Sequence, residues 1–62
     1  MEQRKCWIDK VETVVDGEAR VNYVAYEKEE GEEVKIGNER RKAALMKFLT
    51  AIGYTIVKKH EA

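Results

Sequence analysis

From Lys5 to Tyr26, apolar and polar residues alternate on both sides of one dipeptide, Asp16-Gly17. An Asp-Gly pair between β-branched and aromatic runs is a strong short-range sign of a β-hairpin. A three-residue loop, Val15 to Gly17 with Gly17 left-handed, pairs Val14 with Glu18 and sets Glu12 opposite Arg20, Ile8 opposite Val24 and Cys6 opposite Tyr26. A two-residue loop sets Glu12 opposite Val21 and mixes polar with apolar residues on both faces. Register decides which side chains share a face, so the better-sorted faces favour the bulged three-residue loop. One face then carries Trp7, Val11, Thr13, Ala19, Val21, Tyr23 and Ala25. The other carries Cys6, Ile8, Val14, Val24 and Tyr26 among Lys10, Glu12, Arg20 and Asn22.

The pattern then shifts. Glu29, Glu30, Glu32 and Glu33 bracket Gly31, a second turn, and Glu33 to Ile36 reads as a short third strand. Leu45, Phe48, Leu49 and Ile52 recur at i, i+3, i+4 and i+7, the stripe of an amphipathic helix over roughly Glu39 to Ile52. Ala44 and Ala51 flank that stripe and let the helix lie close to a sheet, and Gly53 ends it. A final strand follows in Tyr54 to His60. The order β-β-β-α-β predicts an α+β fold, a small antiparallel sheet of three to four strands with one helix packed on one face. Residues 1–62 read as one small domain.

Chemistry enters here mainly by exclusion. With Cys6 the only cysteine and His60 the only histidine, neither an internal disulfide nor a one-chain structural zinc site is expected, and no cofactor motif is present. Cys6 reads as a small strand hydrophobe, His60 as a solvated residue near a fraying end, and Asp9 as a carboxylate turned to water. No Gly-rich phosphate loop or Ser-His-Asp pattern appears, so an enzyme is not expected. No apolar run reaches the length of a membrane span, and "MEQRKCWIDK" is too polar for a signal peptide, so a cytoplasmic protein is expected.

Two features point to partners. Twelve acidic and twelve basic residues give zero net charge, against a general attraction to nucleic acid. Yet Gly37 breaks the preceding strand, Asn38 is placed to cap the helix, and Arg40, Arg41 and Lys42 fall in its first turn, where the macrodipole favours acids. Those four residues, Asn38, Arg40, Arg41 and Lys42, form a candidate anion site; the alternative is that they offset the glutamates of residues 27–33. The second feature is the face bearing Ile8, Val14, Val24 and Tyr26, for which one helix leaves no cover. A homodimer, or a larger protein partner, is the expected occupant. The leading expectation is a small non-enzymatic adaptor, regulator or inhibitor. A nucleic-acid-binding module using Arg40, Arg41, Lys42 and sheet aromatics such as Tyr26 is the alternative.

Overall fold

The computed structural model describes residues 4–62. Asp16 and Gly17 both take positive φ, 52° and 78°, the backbone of a two-residue hairpin turn. They join β1 (Arg4–Val15) to β2 (Glu18–Glu29) in antiparallel register, with Val15 opposite Glu18, Glu12 opposite Val21 and Trp7 opposite Tyr26. This corrects the three-residue loop expected from the sequence. The Asp-Gly turn matches the right-handed twist of the strands directly, without a bulge. Sorting by faces misleads here because the outer half of the hairpin has no core on either side.

The same turn recurs at Glu30 and Gly31, with φ of 52° and 84°. It leads into β3 (Glu32–Glu39), which pairs antiparallel with β2 and bulges where Ala25 meets Gly37 and Tyr26 meets Lys35. β3 is thus longer than expected and contains Asn38, opposite Val24. The helix α1 spans Lys42–Ala51, starting three residues after the expected point. From its far end, β4 (Tyr54–Ile56) pairs parallel with Arg4 to Cys6 of β1. The strand order is β3-β2-β1-β4. The sheet is therefore mixed, because α1 carries the chain back to the end of the sheet where β1 begins. Beyond Ile56 the chain leaves the sheet and closes in a 3-10 turn at Lys59–Glu61, so the expected strand through His60 is cut short.

Cys6, Ala25, Leu45 and Leu49 form the buried centre, with Ile8, Tyr23, Ile36, Tyr54 and Ile56 packed around it. The helix stripe is narrower than the sequence suggests. Leu45 and Leu49 are fully buried, whereas Phe48 and Ile52 are 46% and 53% exposed. Close approach comes from the sheet rather than from alanines: Ala44 and Ala51 are exposed, while a Cβ on Gly37 would lie 3.0 Å from Leu45 Cδ1. Gly37 lets α1 settle onto β3.

Lengths decide the shape. A twelve-residue strand runs about 40 Å, whereas a ten-residue helix covers about 15 Å. The molecule measures 46 × 24 × 15 Å, and β3 reaches along β2 only as far as Tyr23. The outer part of the β1–β2 hairpin is consequently a two-stranded arm, with Glu12 to Arg20 exposed.

Candidate functional site

The observed register splits the predicted interface. Ile8 and Val14 lie on the helix face of the sheet, in step with Cys6; Val24 and Tyr26 lie on the back, in step with Trp7. Their environments differ as much as their faces. Ile8 packs against the core and Val24 is 5% exposed, whereas Val14, on the arm, is 71% exposed. The four do not form one continuous patch.

Trp7 had been expected beneath the helix and is found on the back of the sheet, 1% exposed. Its ring stacks on Tyr26 at 5.9 Å between centroids and 24° between planes. The chain's own C-terminal segment covers this pair. Lys59 Nζ lies 3.3 Å from Glu33 Oε1, and since β4 and β3 are opposite edges, the chain beyond Ile56 runs across the face of β1 and β2 to bring them together. The second apolar face is therefore largely an internal minor core. The buried Trp7 indole N–H meets no acceptor among the described residues.

A groove of about 450 Å³ opens beside Trp7, where β4 ends and β1 continues alone. Its floor and walls include Ile8, Met46, Ile56 and Val57, and its rim carries Lys42, Lys58 and Lys59 against Asp9 and Glu61. On the arm, Val14 and Val15 are the apolar side chains most open to solvent, at 71% and 47%. An apolar groove and an apolar tip are thus displayed at the two ends of one strand edge.

The basic residues do not share a capped first helical turn. Asn38 is a strand residue and caps nothing; the N-cap is Arg41, in extended conformation with no side-chain cap. Arg40 and Arg41 precede the helix, and only Lys42 lies in its first turn. The sequence places the N-cap too early because β3 runs through Gly37, held by pairing with Ala25. Nor do the glutamates offset these cations. β3 is eight residues long, about 26 Å, which separates the Glu30-Gly31 turn from Arg40 by well over a Debye length. Arg40 instead shares a depression of about 390 Å³ with Arg20, Val21 and Asn22.

Sequence reasoning did not single out Glu27, which it grouped with the acidic turn. Glu27 is 6% exposed, and Arg4 donates to both its oxygens, from Nε to Oε2 at 3.1 Å and from Nη2 to Oε1. The Tyr54 hydroxyl donates to Oε1 at 3.1 Å, and the Arg4 guanidinium sits 5.2 Å above the Tyr54 ring. The signal was the alternation Tyr23, Ala25, Glu27 along β2, which puts the carboxylate under the helix side of the sheet. This cluster ties β4 and the start of β1 to β2. Burial, and then the Glu27 charge, push the Cys6 thiol above its ordinary 9.0. Burial, and then the hydrogen bond to Glu27, raise Tyr54 above 10.0. Cys6 is thus held as a neutral thiol, poorly suited to nucleophilic attack.

Among the described residues no group of three or more His, Cys, Asp and Glu is placed to hold a metal ion, and no helix is long and apolar enough to cross a membrane. His60 Nε2 lies 3.7 Å from Glu61 Oε1 on the exposed 3-10 turn. No protein-family model matches this chain, and no curated protein or solved structure is significantly similar to it.

Proposed function

We propose that this is a small non-enzymatic interaction protein, a homodimeric adaptor, regulator or inhibitor that binds a larger protein, with its hairpin arm as an interaction element. The observation that carries this reading is the arm itself. A two-stranded hairpin is marginal in water when unsupported, yet here its outer half extends past helix, β3 and β4, with Val14 and Val15 exposed. Unpaired strand edges are templates for further pairing, and strand addition is a common mode of protein recognition. The chemical groups elsewhere are already engaged: the Cys6 thiol is buried and neutral, and Glu27 is held by Arg4 and Tyr54.

The test is affinity capture from the native host on the tagged protein and on a Val15→Asp variant, with circular dichroism to show both are folded. Proteins retained by the wild type and lost with the variant support the reading. Retention of the same proteins by both would remove the arm from the interaction.

One observation favours a second reading. Arg20 and Arg40 converge on one depression beside Asn22, a suitable seat for a nucleic-acid phosphate. Oligonucleotide binding that weakens steeply with salt and is lost in Arg20→Glu supports it; no binding at low salt removes it.

A further inference from the structure

The free edge of β1 runs from Trp7 to Val15, because β4 occupies only Arg4 to Cys6 and no other described strand lies on that side. The midpoint of that stretch is Val11. Backbone direction is also fixed: Val57 N donates to Cys6 O at 2.8 Å, so the even-numbered residues of β1 turn their N–H and C=O groups to this edge. The odd-numbered ones face β2. Ile8, Lys10, Glu12 and Val14 therefore present their hydrogen-bonding groups outward.

We infer that the occupant of this edge is a second copy of the chain, its β1 pairing antiparallel with the first about a twofold axis at Val11. It rests on the arm being an interaction element, and it specifies the partner and the register. Antiparallel pairing centred on Val11 sets Ile8 opposite Val14 and Lys10 opposite Glu12, each twice. All four are outward-facing residues, as hydrogen-bonded pairs require. Opposite charges and apolar side chains meet in this register. Shifting to the neighbouring register of the same parity sets Lys10 against Lys10, or Glu12 against Glu12, and like charges directly opposite are destabilising. The two charged residues that guard the edge against general aggregation thus permit one self-complementary arrangement.

The groove fits the same geometry. Val14 of the second copy arrives beside Ile8 on the helix face, near Met46, and its Val15 arrives opposite Trp7 on the back face, near Val57, all lining residues of the groove. Its Asp16 reaches the end of β4, by the rim bearing Lys42, Lys58 and Lys59; the rim's own Asp9 and Glu61 offset part of that attraction. The exposed apolar tip of one copy fills the apolar groove of the other, twice over. The product is one continuous eight-stranded sheet with both helices on the same face, an isologous assembly that closes on itself.

The test is a charge swap across the axis. Lys10 and Glu12 are exposed, so neither substitution disturbs the fold of one copy. Lys10→Glu alone and Glu12→Lys alone each replace both opposite-charge pairs with like-charge pairs and should weaken the dimer roughly tenfold or more. Mixing the two variants restores two opposite-charge pairs and should recover dimer, as should the double swap within one chain. Sedimentation velocity reads the mass, and emission of Trp7, the only tryptophan, reads occupancy of the groove. A second measurement is covalent. Val11 opposite Val11 is a non-hydrogen-bonded pair with Cα atoms about 4.5 Å apart, so Val11→Cys should cross-link on mild oxidation while Thr13→Cys should not.

A wild type that remains monomeric at the highest soluble concentration overturns self-pairing. The arm's role in capturing a different protein is then judged separately, by the Val15→Asp comparison. A dimer insensitive to both single swaps, or one cross-linked equally at positions 11 and 13, overturns the register.

Discussion

Leu49→Ala and Phe48→Ala are adjacent truncations on one helix, and the structure assigns them very different effects. Leu49 is fully buried against Cys6, Ala25 and Leu45; Phe48 keeps 46% of its surface in water. A buried Leu→Ala change costs about 3–5 kcal/mol, part lost transfer energy and part the cavity left behind. Truncating a half-exposed phenylalanine leaves no closed cavity and forfeits only about 1–1.5 kcal/mol of burial. The whole domain is stabilised by about 3–9 kcal/mol on the usual per-residue scale. An unfolding entropy of about 2.1 cal/mol/K per residue gives about 130 cal/mol/K for 62 residues. Phe48→Ala should therefore lower the melting temperature by roughly 8–12 °C, and Leu49→Ala by roughly 23 °C or more, enough to leave much of the chain unfolded at 25 °C. Thermal melts followed by circular dichroism, at one protein concentration, measure both. Equal shifts, or a larger one for Phe48→Ala, would show that the helix presents a different face to the sheet.

Two further expectations follow from the core and its polar edge. Gly37→Ala places a methyl 3.0 Å from Leu45 Cδ1 and near the Phe48 ring, so it should destabilise by about 1–3 kcal/mol, with Leu45→Val relieving part of the loss in a double-mutant cycle. Cys6 and Tyr54 are both raised above their ordinary values of 9.0 and 10.0, so the folded state holds their protons more tightly than the unfolded chain does. That stability is complete below about pH 9 and drains away as pH rises through the folded values; urea unfolding from about pH 8 to about pH 11 should show the decline, and Tyr54→Phe should flatten its upper part.

The element order was legible because it depends on local signals: two turns with glycine at positive φ, one helical stripe, and Gly53 behind it. What escaped was set by distance along the chain. Face-sorting assumes that one side of a strand is buried along its whole length, and β1 and β2 outrun their cover, so the register inferred from it slipped by one. The parallel pairing of β4 and the passage of residues 57–61 over Trp7 join the two ends of the sequence, and no short window holds both. Asn38 carries every local mark of an N-cap; pairing with Val24 overrides it. Glu27 looks like one more solvated glutamate until Arg4 and Tyr54 come from opposite ends of the chain to meet it. The arm, the groove and the self-complementary edge became visible only after the register was known.

The pairing of Arg4 with Tyr54 also governs when this protein can fold. The central hairpin can pair its two strands once Glu29 has been made, but β1 gains its other neighbour, and Trp7 its cover, only with residues 54–61. Loop-closure entropy must be met before such distant contacts repay it, which places the chain among slower-folding topologies despite its length. On a ribosome the residues of β4 and the 3-10 turn leave the exit tunnel after the hairpin does. Until they do, the β1 edge, with Lys10 and Glu12 along it, is open to other nascent chains. Lys10 and Glu12 therefore stand guard at the moment when the chain is least able to protect itself.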